Sequence, residues 1–334
     1  MQAGKMNGGE DLGPGRDDVR SESNTPAIHV GNLHKSYDSA HVLNGVNLDV
    51  NQGQFYALMG PNGSGKSTLA AIIASVVDFD SGTVEVFAKK PADARKSFGY
   101  VPQDNFSIPL LTGRENLIYF AGVLGYSGRE VRAKADELLA KVGLTADANK
   151  RASQYSGGMR KRLELATVLF PGIKLLILDE PTTGLDPAAR RDFLNLVKGT
   201  VDRGTSILLI THLGTDAEQA TRVGLMYKGG IVAEDTPEAL KRTYATVDVI
   251  TVETSTRSPQ VAHLLEGYSR DGKLAETQTG YHIYARDAAE LVPDVIHALD
   301  RAGVGEKRIE VSTATLEDVF FRLTEHPMNE VGGQ

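Results

Sequence analysis

The sequence predicts an α/β domain with a largely parallel central sheet, followed by a smaller α+β unit. Three observations predict it. From Ala27 to about Arg242, short apolar runs alternate with stretches of helical period. One of these runs, Phe55-Tyr56-Ala57-Leu58-Met59, leads straight into the glycine-rich segment Gly60–Thr68, and an apolar stretch without Gly or Pro, Leu69–Val77, follows. Around Thr243–Thr246 that pattern runs out and a different rhythm begins.

In order, the strand-like runs of the first domain are Val46–Val50, Phe55–Met59, Thr83–Phe87, Leu175–Leu178, Ile207–Ile210 and Val223–Tyr227. Asp186-Pro187 and Thr236-Pro237-Glu238 each offer an N-cap with Pro at the first helical position. The second unit reads as strand Val247–Glu253, helix Gln260–Gly267, strands Lys273–Thr277 and Tyr281–Ala285, helix Ala288–Ala302, strand Lys307–Val311 and helix Leu316–Leu323. That β-α-β-β-α-β order suggests a ferredoxin-like unit. The chain therefore divides into a tail over 1–25, a main domain over 26–244, a C-terminal regulatory or dimerisation domain over 245–325, and a tail over 326–334. Residues 1–25 are rich in Gly, Asp, Ser and Asn without an apolar core, which reads as a disordered tail and not a signal peptide.

The bulk composition narrows the function classes. The 334 residues are 41% hydrophobic and 24% charged, ordinary for a globular chain. A net charge of -7 argues against wholesale attraction to nucleic acid or an anionic membrane face. The absence of Cys removes disulfides and thiolate metal sites and leans towards a reducing compartment. The longest apolar run is about nine residues, half of a membrane span, so membrane work needs a partner.

The segment Gly60-Pro61-Asn62-Gly63-Ser64-Gly65-Lys66-Ser67-Thr68 fits G-x-x-x-x-G-K-[ST] between a strand and a helix, the setting of a phosphate-binding loop. Glycines let the backbone curl its N–H groups inward, and the helix N-terminus adds positive potential. Lys66 is placed for the β- and γ-phosphates of a nucleoside triphosphate, and the Ser67 hydroxyl for Mg²⁺. Leu175-Leu176-Ile177-Leu178-Asp179-Glu180-Pro181 sets two acids where a buried strand emerges. Asp179 is a candidate Mg²⁺ ligand and Glu180 a candidate base for an attacking water, although two acids after a strand also suit a solvated loop. Tyr155-Ser156-Gly157-Gly158-Met159-Arg160-Lys161-Arg162 then opens a helix reaching about Phe170. Alone, Ser-Gly-Gly is a common turn.

Together these segments resemble the ATP-binding cassette (ABC) ATPases. Ser156-Gly157-Gly158 is similar to the core of their LSGGQ signature, with Tyr155 in place of Leu and Met159 in place of Gln. The resemblance spans about residues 27–242 and implies a P-loop NTPase fold: a RecA-like core with an antiparallel β-subdomain and a helical subdomain. It implies ATP and Mg²⁺ as ligands. It also implies further roles: Gln103 as the Q-loop glutamine at Mg²⁺ and water, Asp186 in the D-loop Gly184-Leu185-Asp186, and His212 as the H-loop histidine at the γ-phosphate. Tyr37 resembles the adenine-stacking aromatic, while a Tyr packed on its own sheet is the alternative there. Arg160-Lys161-Arg162 reads as a mostly solvated helix face. Leu316, Val319, Phe320 and Leu323 form a helical stripe that reads as core of the small domain.

The resemblance is strongest to type-2 exporter and drug-resistance ATPases, through Tyr155–Arg162, Leu111–Leu117 and Thr315–Phe320. It implies a head-to-tail pair with a second ATPase subunit, a homodimer first with a heterodimer as the alternative, and a transmembrane permease of the type-2 exporter kind. The expected location is the cytoplasm, held to the inner face of the membrane through that permease. An importer ATPase ranks second. A nucleic-acid or ribosome ATPase ranks a distant third, because neither heptads nor a second phosphate loop appears and the charge is acidic.

Overall fold

The computed structural model describes residues 25–38, 40–201, 204–245, 248–255, 257–269, 274–285 and 288–326. The two expected tails, apart from Thr25 and His326, and the expected strand starts at Val247 and Lys273 lie outside them. The chain opens with β1 (Ile28–Tyr37), β2 (Ala40–Val50), β3 (Phe55–Met59), α1 (Lys66–Ile73), β4 (Ser81–Val86) and β5 (Phe98–Val101). Three helices follow, α2 (Gly113–Val123), α3 (Arg129–Lys141) and α4 (Gly157–Thr167). Then come β6 (Leu175–Asp179), α5 (Pro187–Val201), β7 (Ser206–Thr211), α6 (Gly214–Ala217), β8 (Arg222–Tyr227), β9 (Gly230–Asp235) and α7 (Pro237–Tyr244). The rest holds β10 (Asp248–Thr254), α8 (Pro259–Glu266), β11 (Leu274–Glu276), β12 (Gly280–Ala285), α9 (Ala288–Arg301), β13 (Lys307–Thr313) and α10 (Leu316–Thr324).

The central sheet has the order β5-β6-β7-β3-β8-β9, parallel except for β9 at the edge. Every residue of β3, β6 and β7 is buried, as a parallel sheet covered on both faces demands. One face packs Leu58, Ile177 and Ile210 against α1 and the antiparallel sheet β2-β1-β4. The other face packs Leu178, Leu209 and Leu225 against Phe193 and Val197 of α5. Helices α2, α3 and α4 close over their own core of Leu117, Leu138, Leu139 and Leu163. Thr112 starts that bundle with a capping box, its hydroxyl accepting from the Glu115 N–H while the Glu115 carboxylate takes the Thr112 N–H.

The expected strand Thr83–Phe87 ends one residue earlier, because Phe87 and Ala88 take left-handed φ values of 51 and 56 and turn the chain back so that Val86 pairs with Lys89. Strands β1, β5 and β9 were not among the expected runs. β1 alternates buried with half-exposed polar residues, and β5 is four residues long.

After α7 the four strands β11-β12-β10-β13 form one antiparallel sheet. Helices α8 and α9 cover one face of it, where Ile250, Val252, Tyr281 and Ile283 meet Val261, Leu265, Val295 and Leu299. The stripe on α10 corrects the sequence reading. Leu316, Val319 and Phe320 are fully buried, yet they join the main domain's core with Leu240 and Leu225, along with Val249, Ala275 and Tyr284 from the sheet's second face. Phe320 meets Tyr227 edge-on with ring centroids 5.7 Å apart. The stripe is a seam between two units and not the interior of one; an apolar period marks that a face is buried, not by what.

Candidate nucleotide site

The strand order brings the scattered motifs to one edge. β5, β6, β7 and β3 lie side by side and parallel, so the residues that follow them line up at their C-terminal ends, where α/β sheets take their ligands. Gln103 comes from β5, Asp179 and Glu180 from β6, Thr211 and His212 from β7, and the Gly60–Thr68 loop from β3.

The loop is shaped by glycine. Gly63 and Gly65 take φ values of 79 and 103, conformations that L side chains resist. At Gly60 a Cβ would come 2.2 Å from the Met226 carbonyl oxygen. Gly65 then leads into α1 as its N-cap. Lys66 is buried and donates from Nζ to the Pro61 carbonyl at 2.8 Å. Burial lowers its pKa, opposed by the nearby Glu180 and Asp179. Ser64 Oγ is buried and bonds to no group among the described residues. A buried hydroxyl left open inside a curled loop fits an oxygen-rich ligand such as phosphate.

Ser67 Oγ donates to Asp179 Oδ1 at 3.0 Å. Burial raises the Asp179 pKa, partly offset by that hydrogen bond and reinforced by the Glu180 charge. A hydroxyl and a carboxylate oxygen side by side beside a phosphate loop are the hard oxygen donors that suit Mg²⁺, whose remaining positions phosphate and water can fill. Beside them the Glu180 carboxylate is a meeting point. Its Oε2 lies 3.1 Å from His212 Nδ1, accepts from Thr183 Oγ1 at 3.2 Å and from Gln103 Nε2 at 3.5 Å. The His212 ring beside it holds the Glu180 pKa low against the opposing effect of burial, with Lys66 and Thr183 assisting. Glu180 also takes a left-handed φ of 46, a strained conformation for a non-glycine residue at the junction of strand and loop. An ionised carboxylate fixed at 6% exposure, close to the Lys66 ammonium and the Ser67–Asp179 pair, can polarise a water.

Five expected residues stand apart from this cluster. Ser156 caps α4, its Oγ accepting from the Met159 N–H. Gly157 and Gly158 open that helix, and a Cβ on Gly158 would crowd the Ala189 methyl at 3.2 Å. Asp186 is exposed and caps α5 through Oδ1, accepting the N–H groups of Ala188 and Ala189 at 3.0 Å each. Tyr37 is 44% exposed at the end of β1, with the Lys35 ammonium 4.9 Å from its ring centre, so its ring is not packed away in its own sheet.

The basic run after Gly158 is not the mostly solvated helix face that its sequence suggests. Lys161 is buried and donates to the Gln103 carbonyl at 2.9 Å. Arg162 reaches the Val142 and Gly158 carbonyls. One turn on, the fully buried Glu164 accepts from the N–H groups of Phe106 and Ser107 and from the Ser107 hydroxyl. The helix that carries Ser156 is thereby tied to the segment that carries Gln103. Glu164 gave no sign in the sequence, since a lone acid in a helix reads as surface.

Comparison with known proteins agrees with this geometry. The family model described as ABC transporter matches residues 43–183. The chain is 34% identical over 309 residues to the daunorubicin resistance ATP-binding protein DrrA2 of Streptomyces coeruleorubidus, covering 90% of this chain and 95% of that one. It is also 34% identical over 310 residues to the Nod factor export ATP-binding protein I of Bradyrhizobium diazoefficiens, covering 91% and 98%. A dimeric post-hydrolysis structure of the ATP-binding cassette MJ0796 bound to ADP and Pi superposes with a TM-score of 0.58 at 29% identity, over 63% of this chain and 98% of that one. With the motifs gathered at one sheet edge and relatives matched nearly end to end, the chain belongs to the ABC transporter family as an ATP-binding, ATP-hydrolysing subunit.

Proposed function

We propose that this chain powers export through a separate transmembrane permease, working as a head-to-tail pair that closes on two ATP molecules. The observation that carries the reading is the convergence on Glu180 Oε2 of His212, Gln103 and Thr183, next to the Ser67–Asp179 pair. The Gly60–Thr68 loop and Lys66 hold the phosphates, and Tyr37 stacks on adenine. Ser67 and Asp179, with Gln103 nearby, would hold Mg²⁺, which supplies charge neutralisation on the phosphate oxygens. Glu180 takes the proton of the attacking water, and His212 contacts the γ-phosphate. Ser156, Gly157 and Gly158 meet the nucleotide of the partner copy, and Asp186 faces across the same interface.

Export is supported by the relatives that match nearly the whole chain, whose names are drug resistance and Nod factor export proteins. No helix among the described residues is long and apolar enough to cross a membrane, in keeping with a permease supplied separately. The exposed Leu110, Tyr119 and Val123, close after Gln103, suit contact with it. Residues 245–325 form a regulatory unit docked on the ATPase part through α10.

The test is the mass of purified Glu180→Gln chain by light scattering, with and without Mg-ATP. An ATP-dependent shift from monomer to dimer supports the two-nucleotide sandwich. A dimer of fixed mass assigns pairing to the C-terminal unit instead, and a constant monomer means that a sister cassette supplies the other half.

A further inference from the structure

The turn that follows His212 is gripped from outside the ATPase motifs. Gly214 donates its backbone N–H to Glu317 Oε1 at 2.6 Å, across 103 residues of sequence. The carboxylate lies so close against this glycine that any side chain here would push it aside. A Cβ at Gly214 would meet Glu317 Oε2 at 2.0 Å, its carboxyl carbon at 2.5 Å and Oε1 at 2.7 Å, and those three nearest atoms all belong to Glu317. Only Leu213 separates this anchor from His212. Leu213 is itself fixed, its N–H on Thr211 Oγ1 and its carbonyl capping Asp216 and Ala217. A second anchor holds the far side of the same turn, where the fully buried Asp216 accepts from the Thr182 hydroxyl, two residues past Glu180.

Glu317 is held in turn by the C-terminal unit. It stands in the first turn of α10, whose N-terminus is closed by a Thr315–Asp318 capping box. Asp318 Oδ1 accepts from the Tyr284 hydroxyl at 2.8 Å and lies 3.2 Å from His282 Nδ1, both on β12. A continuous line of contacts thus runs from the small sheet through Asp318 and Glu317 to Gly214, His212 and Glu180.

We propose that Glu317 is a positioning residue for ATP hydrolysis, fixing the backbone that aims His212 and making turnover depend on the docking of the C-terminal helix. The proposal rests on the reading of His212 above and extends it: the ATPase site is completed by the unit at the far end of the chain. A double-mutant cycle measures the coupling along this line.

Mg-ATP hydrolysis and ADP binding are measured on the full chain for Glu317→Ala, Glu317→Gln, Gly214→Ala, His212→Ala and the pairs. Glu317→Ala is expected to lower kcat about tenfold, less than the roughly hundredfold cost of a full 1 Å misplacement, with KM for ATP changed less than about twofold. ADP affinity stays the same, because ADP lacks the phosphate that His212 meets. Glu317→Gln keeps an oxygen for the Gly214 N–H and stays within about twofold of wild type. Gly214→Ala attacks the same contact from the other side without touching α10, so it reproduces the kcat loss even if Glu317→Ala folds poorly. Combining either with His212→Ala costs nothing beyond His212→Ala alone. Wild-type kcat in both Glu317→Ala and Gly214→Ala beside a slow His212→Ala overturns the positioning role and leaves the site reading intact. Losses that multiply with His212→Ala, or equal losses in ADP binding, assign Glu317 to general stability and overturn it as well. A His212→Ala chain that turns over normally sinks both readings.

Discussion

His212 Nδ1 and Glu180 Oε2 lie 3.1 Å apart, although 32 residues separate them and each follows a different strand. The contact is possible because β6 and β7 are parallel neighbours in register, with Asp179 opposite Ile210, so the residues just beyond both strands emerge together. The ring next to the carboxylate keeps Glu180 ionised despite its burial. That is the state in which a carboxylate can accept a proton from water.

Glu180→Gln keeps the size of the side chain and removes the proton acceptor. Steady-state ATP hydrolysis is expected to fall by about a hundredfold or more, the usual contribution of a general base, while ATP binding persists. Turnover is read by phosphate release and binding by a fluorescent ATP analogue. Hydrolysis within a few-fold of wild type would remove Glu180 as the base.

Lys66→Ala acts earlier in the cycle. Among the described residues the buried ammonium bonds to the Pro61 carbonyl at 2.8 Å and feels the field of Glu180 and Asp179, and charged phosphate oxygens are stronger partners than a carbonyl. Losing one charge-assisted hydrogen bond of about 1.5–3 kcal/mol predicts a roughly tenfold to hundredfold weaker affinity for ADP and ATP alike. Titration with either nucleotide checks this. Unchanged affinity together with a lost kcat would move Lys66 from binding to chemistry.

Much of this site was legible because its parts are local. Gly60–Thr68 carries the pattern, the flanking strand and the helix start in a dozen residues, and Asp179-Glu180 ends a run of four apolar residues that a buried parallel strand requires. What stayed hidden is non-local. The Glu164 and Lys161 grip on residues 103–107 joins a helix face to a loop some 60 residues away, and helical periodicity assigns charged residues to solvent by default. The α10 stripe was legible as buried, but its partners Leu240 and Tyr227 were not, since periodicity gives a face and no address. β1 escaped notice because its alternation is diluted by Asn32, His34 and Lys35.

The Glu164 grip carries a stability prediction. Glu164→Ala strips the partner from two backbone N–H groups and the Ser107 hydroxyl, and removes the buried charge 3.7 Å from the Lys161 ammonium, which keeps the Gln103 carbonyl. Breaking a buried charge network from one side is expected to cost about 3 kcal/mol. Urea unfolding of both chains measures it, and a loss under about 1 kcal/mol would mean that water replaces the carboxylate and that the two segments are not rigidly joined.

Asp318 gives a prediction with a definite sign in pH. Burial alone would raise its pKa, but the His282 ring and the hydrogen bonds from Thr315 and Tyr284 outweigh burial and hold it below the ordinary value. A carboxyl with a depressed folded-state pKa stabilises the fold at every pH above its unfolded value, about 3.9, and loses that contribution as pH falls through the folded-state value. Asp318→Asn removes the charge without changing the shape of the group. The stability gap between wild type and Asp318→Asn, from urea unfolding at a series of pH values, is therefore expected to shrink as the pH falls below about 4. Groups remote from residue 318 cancel in that difference, so the slope on the acid side of about pH 4 reports residue 318. A gap that widens on acidification would mean that burial wins, that Asp318 is protonated in the folded chain, and that His282 and Tyr284 are held by a neutral acid instead of an anion.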